Sequence, residues 1–92
     1  HENIDLLKLD IEGAETEVLL DCADSLNQVD RVFVEYHSFV EREQRLDVLL
    51  QILRRANFRI HIQPELVSAR PFLKRFEHDG MDQRLNIFAY RD

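Results

Sequence analysis

Four ionisable side chains stand at the ends of two apolar runs and have the chemistry for proton transfer. Asp10 and Glu12 close the first run, and Glu35 and His37 close the second. If the two runs are neighbouring parallel strands, these ends lie about 5 Å apart, and open sheets of this kind bind ligands there. A carboxylate or an imidazole at that place can take a proton from a substrate hydroxyl. We therefore predict that all four residues are catalytic.

Other roles for the four residues are open at this level. Three carboxylates and a histidine also suit a hard divalent cation, although we predict no metal site. Asp10 is equally suited to capping the turn after the strand, and Glu12 to favouring the start of the next helix. Glu35 is placed to pair with Lys8 on the neighbouring strand, and His37 is suited to an ordinary loop position.

The spacing of apolar residues predicts alternating strands and helices around these side chains. Short runs rich in β-branched and aromatic residues indicate strands, and apolar residues three and four positions apart indicate helices with one buried face. Such alternation is typical of an α/β fold with a mostly parallel sheet. The predicted elements are strand 4–11, helix 14–23, strand 31–36, helix 45–56, strand 58–62 and strand 85–90.

The connections carry their own signals. Gly13 suits a tight turn from strand to helix, and Asn57 suits a left-handed helix end. Residues 25–30 are predicted to form a polar connection. Pro64 is expected to end the third strand, so residues 64–83 are expected to form a long loop, either functional or mobile, with a helical turn around Leu73. With no strong helix between them, the last two strands are expected to pair antiparallel.

Composition narrows the class of protein. Among the 92 residues, 45% are hydrophobic and 33% are charged, which favours a folded domain or part of one. The net charge of −6 argues against a nucleic-acid surface, and no apolar run reaches the ~18 residues of a membrane span. Cys22 is the single cysteine, which indicates a reducing compartment and hence the cytoplasm. The abrupt start at His1 suggests a segment of a longer protein.

Residues 6–19, LLKLDIEGAETEVL, resemble the signature of the FkbM family of methyltransferases. In that family a strand of the pattern apolar-Lys-apolar-Asp-apolar-Glu-Gly-x-Glu leads into a helix. The segments VFVEYH, RRANF, RPF and NIFAYR are also similar to the family's later segments. The positions that match the signature are Lys8, Asp10, Glu12, Gly13 and Glu15.

The resemblance implies a Rossmann-like class I methyltransferase fold, of which residues 1–92 supply the carboxyl-terminal half as one partial domain. It implies O-methyl transfer from S-adenosylmethionine to a small-molecule or sugar hydroxyl. The family holds this cofactor mainly through a glycine-rich turn and an acidic residue in its amino-terminal half, whereas the glycines here are Gly13 and Gly80. We therefore assign no cofactor-binding residue in this chain and expect the isolated chain to be inactive.

A second interpretation is a stand-alone, non-catalytic binding or assembly module built from the same half-fold. In either case the first strand would form an apolar sheet edge, and such edges recruit another strand. We expect a homodimer in which two of these edges pair around a two-fold axis.

Overall fold

The computed structural model describes residues 6–11, 25–75 and 77–91, and the backbone alone at residues 9–11 and 25. Its strands are β1 (Leu7–Ile11), β2 (Arg31–Phe39), β3 (Arg59–Leu66) and β4 (Met81–Tyr90). A 3₁₀ helix (Ser25–Gln28) precedes β2, and one α-helix, α1 (Leu46–Arg55), lies between β2 and β3. Among the described residues, the four strands form one mixed sheet in the order β1-β2-β4-β3.

The strand directions confirm the predicted pairing at both ends of the described chain. β1 and β2 are parallel neighbours in a register that runs from Leu7↔Val32 to Ile11↔Tyr36. β4 lies between β2 and β3 and is antiparallel to both. Three strands therefore run in one direction and the last strand runs against them, and β1 and β3 are the two edges of the sheet formed by the described residues.

The two faces of the sheet differ because the side chains of a strand alternate between faces. On β2 the residues Val32, Val34, Tyr36 and Ser38 are buried, and those between them are less so. Together with Leu85, Ile87 and Ala89 of β4, these residues form the face that packs against α1 and Phe58. The helix contributes Leu49, Ile52 and Leu53 to this core. We call the other face the outer face; it carries Phe33, Glu35, His37, Arg84 and Phe88.

The helix α1 agrees with the predicted helix 45–56, and its end follows the predicted left-handed turn. Asn57 has a φ of 68°. The N–H of Asn57 donates to Arg54 O at 3.0 Å, and the N–H of Phe58 donates to Leu53 O at 3.1 Å. These two bonds form a Schellman motif. Because Leu53 and Phe58 are both fully buried, the motif also fixes the entry of the chain into β3.

Three predicted strand limits were wrong. β2 continues to Phe39, so His37 lies within the strand rather than just after it, while Glu35 lies within the strand as predicted. Pro64 does not end β3: it pairs with Leu85, beside a register shift. Proline is tolerated there because β3 is an edge strand, where a ladder bond need not be donated. β4 begins at Met81 and not at residue 85.

The polar connection predicted at residues 25–30 contributes to the core. Leu26 and Val29 are buried, with exposed fractions of 0% and 1%. The Arg91 guanidinium donates to the carbonyls of Leu26 and Ala56 and lies 4.4 Å from the centre of the Phe58 ring. This arginine, just after β4, thereby joins the 3₁₀ helix to the end of α1.

The long loop is shorter than predicted and includes the expected turn. Leu73 N–H and Lys74 N–H both donate to Arg70 O, at 3.0 and 2.8 Å. The helix predicted at residues 14–23 lies outside the described residues. Within the described part of the chain, no helix has the length and apolar character needed to cross a membrane.

Candidate functional site

Glu35 and His37 form a contact pair on the outer face. They are two positions apart on β2, so both side chains project to the same side of the sheet. His37 Nε2 lies 3.2 Å from Glu35 Oε1. The side chains are 11% and 28% exposed for His37 and Glu35 respectively, so the pair is shielded but still accessible. An imidazole held by a carboxylate in this way is an arrangement suited to general base chemistry.

Arg84 connects this pair to the neighbouring strands. It is the register partner of His37 on β4. Arg84 Nη2 donates to Glu65 Oε1 on β3 at 2.7 Å, and Arg84 Nε lies 3.8 Å from Glu35 Oε1. Arg84 thus lies between the carboxylates of Glu35 on β2 and Glu65 on β3. We call these three residues the charged row.

Sequence reasoning missed Arg84 and Glu65. The predicted strand at residues 85–90 began one position too late to include Arg84, and Glu65 was assigned to the long loop. A signal for Arg84 was present in the sequence, because the apolar residues Leu85, Ile87 and Ala89 occupy alternate positions of the strand. If the strand is extended back by one residue, Arg84 lies on the face opposite these buried side chains.

Asp10 is aligned with Glu35 in the parallel ladder. This register confirms that the carboxyl ends of the first two strands are neighbours, which was the basis for grouping the predicted catalytic residues. Only the backbone of Asp10 is described, and Glu12 lies outside the described residues, as does Gly13. The structure thus brings together Glu35 and His37 as side chains, and Asp10 by its backbone position.

Lys8 contacts an aromatic ring on the outer face. Its register partner is Phe33, and Lys8 Nζ lies 6.0 Å from the centre of that ring. The lysine side chain is exposed, and its ammonium group is attracted to the face of the ring. The alternative role of Glu35 as a partner of Lys8 is not adopted: Lys8 makes this cation–π contact, and Glu35 contacts His37 and Arg84.

Aromatic rings lie on the same outer face as the charged row. Phe33 and Phe88 are register partners on β2 and β4, with ring centres 5.0 Å apart. His61 lies on the other side of Phe88 at 6.2 Å, and Phe39 lies 6.3 Å from His37. The outer face therefore combines an aromatic surface with a charged row near the carboxyl ends of the strands.

Tyr36, between Glu35 and His37 in sequence, has a structural role on the opposite face. Burial raises the pKa of its phenol above the ordinary value of 10.0, and the nearby Asp82 and Asp47 carboxylates act in the same direction. The hydroxyl accepts the N–H of Arg45 at 3.0 Å, just before α1 begins. Tyr36 therefore stays a neutral phenol that anchors the start of the helix.

Two surface cavities lie where the carboxyl ends of β2 and β3 meet the start of β4. The first, of about 270 Å³, is named the Arg75–Asp82 cavity and is lined by Val67, Ser68, Pro71, Arg75, Asp82 and Gln83. The second, of about 280 Å³, is lined by Phe39, Val40, Glu41, Arg42, Glu77, Asp79 and Gly80. Their position agrees with the rule that open sheets bind ligands beyond the carboxyl ends of parallel strands. Among the described residues, no three histidine, cysteine or acidic side chains are grouped to hold a metal ion.

The parallel strands β1 and β2, the crossover helix α1 and the acid–base pair near the strand ends define an α/β protein with a candidate site on the outer face. The Methyltransferase FkbM domain model matches residues 1–60, which is well over half of the chain. The chain therefore belongs to the FkbM methyltransferase family. No curated protein and no solved structure matches it significantly. The match includes β1, β2 and α1, with Glu35 and His37, whereas Glu65, Arg84 and the Arg75–Asp82 cavity lie beyond it.

Proposed function

We propose that the chain is the carboxyl-terminal part of a Rossmann-like, S-adenosylmethionine-dependent O-methyltransferase that acts on a small-molecule or sugar hydroxyl. The observation that carries the proposal is the 3.2 Å contact between His37 and Glu35 on a strand within the family match. The alignment of Asp10 with Glu35 supports it, because it adds a third ionisable residue of the same family segment at this place.

The residues of this chain supply the acceptor side of the reaction in this proposal. His37 takes the proton from the acceptor hydroxyl, and the adjacent Glu35 carboxylate stabilises the resulting imidazolium. Arg84, bonded to Glu65 and close to Glu35, keeps the Glu35 carboxylate in place. Methyl transfer is chiefly a matter of positioning the reacting groups, so a rigid strand is a suitable support for the base.

The described residues do not fit the cofactor. S-adenosylmethionine supplies the methyl group, but the two glycines of the sequence stand far apart and form no glycine-rich turn. The volumes of the two cavities, about 270 and 280 Å³, are also both below about 300 Å³, the lower limit of sites for larger ligands. We therefore propose that the cofactor is held mainly by residues outside these 92 and that the isolated chain is inactive.

The catalytic assignment is tested by methyl transfer from labelled S-adenosylmethionine to a panel of hydroxylated acceptors, measured in the full-length protein that the gene encodes. We expect His37→Gln to lower turnover by about 10²–10⁴-fold, the usual contribution of a positioned base, and Glu35→Gln to lower it by a smaller factor. His61→Gln is the matched control, since it changes another outer-face histidine. Wild-type turnover in both the His37 and Glu35 variants would remove the pair from the mechanism.

The cofactor assignment has its own test in the isolated chain. The labelled 92-residue chain is titrated with S-adenosylhomocysteine, and amide NMR shifts are followed to millimolar ligand. We expect no saturable shifts. Saturable shifts at residues 10–15 and 35–38 would mean that this half of the sheet binds the cofactor after all, and the assignment of the cofactor site elsewhere would be wrong.

The edge position of β1 favours the second proposal, an assembly of two chains. β1 has one described neighbour, β2, and Leu6 just before it is 58% exposed. We propose that the isolated chain forms a homodimer by pairing two β1 edges, and that a non-catalytic module is the alternative function if no methyl transfer is found. Sedimentation of a monomer at high concentration would contradict the dimer.

A further inference from the structure

The Arg75–Asp82 cavity has the properties of a ligand site and is separate from the Glu35–His37 pair. It lies between the loop after β3 and the first residues of β4. Its volume of about 270 Å³ is just below the range of pockets for larger ligands and suits one small ring. The cavity therefore has room for a monosaccharide rather than for an extended molecule.

Asp82 supplies a carboxylate to the lining of this cavity. Its Oδ1 atom is buried and has no hydrogen-bond partner among the described residues. A buried carboxylate oxygen without a donor is costly, and such an atom in a native fold calls for an explanation. The side chain as a whole is half-buried, so a ligand hydroxyl can donate to this carboxylate through a short and strong bond once the carboxylate turns toward the cavity.

Arg75 supplies the opposite charge. It lines the same cavity and its side chain is exposed, so the guanidinium is available to an anionic group of a ligand. A guanidinium binds a carboxylate through two parallel bonds. Val67 and Pro71 add apolar surface on the lining, against which the carbon face of a ring can pack.

We propose that the Arg75–Asp82 cavity binds a monosaccharide-sized hydroxy acid, such as a uronic acid, with hydroxyls donating to Asp82 and the carboxylate on Arg75. This binding stands on the cavity alone. Gln83 lines the cavity and Arg84 belongs to the charged row, and as consecutive residues of β4 they project to opposite faces of the sheet. The cavity is therefore a site of its own and not an extension of the proposed catalytic pair.

The experiment is a titration of the labelled 92-residue chain with D-glucuronate, followed by amide NMR shifts. We expect saturable shifts at Ser68, Arg75, Asp82 and Gln83. Arg75→Gln and Asp82→Asn should each weaken binding by about tenfold or more, since each removes a charge-assisted contact. The matched controls, which should bind as the wild type does, are Arg70→Gln in the same loop and Asp79→Asn in the other cavity.

Two related probes fix the ligand class. A neutral methyl glucoside should bind more weakly than glucuronate, and glucosamine should not compete with it. Tighter binding of glucosamine would overturn the assignment of an anionic ligand, and absence of saturable shifts with glucuronate in a folded chain would overturn the site. If Asp82→Asn fails to fold, Arg75→Gln decides the question, because Arg75 is exposed and lies outside the core.

The outcomes separate this inference from the proposed function. Glucuronate binding that depends on Arg75, together with turnover that is indifferent to His37, would retain the cavity site and remove the proposed catalytic pair. Turnover that depends on His37, without glucuronate binding, would retain the proposed reaction and remove the cavity site.

Discussion

The two faces of the sheet are built from the same strands but follow different rules. On the face covered by α1, Val32 and Val34 of β2 are at most 2% exposed and belong to a continuous apolar core. On the outer face, the alternate positions Glu35 and His37 carry ionisable side chains that are partly exposed. The residues of the first face are those that the packed core requires, whereas the second face carries ionisable groups that can take part in proton transfer or ligand binding.

This difference shows where functional residues are to be sought in a fold of this kind. A core position tolerates only apolar side chains of matching volume, because burial and close packing provide its stability. A position on the outer face does not require an apolar side chain of fixed volume. The predicted catalytic residues of β2 and the unpredicted Arg84 lie on that face, and none of them belongs to the apolar core.

The largest expected effect comes from truncating one phenylalanine on each side of the sheet. Phe58 is fully buried beside α1, and Phe88 on the outer face is 38% exposed. We expect Phe58→Ala to lower the free energy of unfolding by about 3–5 kcal/mol, because it leaves a cavity in the core. Phe88→Ala should cost about 1 kcal/mol, since its ring is already partly in water and mainly contacts Phe33 and His61.

Urea unfolding followed by circular dichroism measures both variants in the 92-residue chain. Equal losses would contradict the comparison, because they would mean that the outer face is packed as tightly as the core. A loss in Phe88→Ala that grows with protein concentration would show that the outer face is covered by a second copy of the chain.

Most of the fold was predictable because each element has a strong local signal. The helix 45–56 combines an apolar stripe with Asn57, whose left-handed φ of 68° confirms the predicted end. The apolar runs around residues 4–11 and 31–36 predicted two parallel neighbours, and their register confirms it. These features depend on residues close in sequence, so the sequence alone carries them.

The charged row was only partly predictable because it depends on tertiary contacts. Glu35 and His37 were recognised from their place on a strand, but Arg84 and Glu65 join them through the position of β4 between β2 and β3. Pro64 led to an early end for β3, and the tolerance of an edge strand for proline was not visible without the strand order. The Arg75–Asp82 cavity likewise joins residues from a loop and a strand that propensity alone does not bring together.

Tyr36 gives a smaller and pH-dependent effect on the packed face. We expect Tyr36→Phe to lower the free energy of unfolding by about 1 kcal/mol, because the N–H of Arg45 loses its acceptor. Because burial raises the pKa of Tyr36, the unfolded chain loses this proton first, near pH 10, while the folded chain keeps it. The contribution of this phenol to stability is therefore intact below pH 10 and falls as the pH rises further.

The measurement is urea unfolding at neutral pH and at about pH 10.5, where the unfolded phenol is largely ionised. The gap between wild type and Tyr36→Phe should narrow at the higher pH, since the variant has no phenol to titrate at this position. Tyr90→Phe is the matched control, because Tyr90 is exposed and should show little change at either pH. A gap that widens at high pH would contradict the buried, neutral phenol.

Arg84 should show the smallest change in stability. Its bond to Glu65 is partly exposed, and such ion pairs contribute about 0–1 kcal/mol. Arg84→Met keeps the length of the side chain but removes the charge beside Glu35. If the charged row positions the catalytic pair, turnover of the full-length Arg84→Met variant falls with KM nearly unchanged, while the free energy of unfolding changes by less than about 1 kcal/mol.

Arg84→Lys is the rescue variant, and it should restore part of the turnover, since the cation returns without the planar guanidinium. If an Arg84 variant loses stability and activity in proportion, the role of Arg84 is to stabilise the fold. The outer face would then differ from the core in solvent exposure but would also serve mainly for stability.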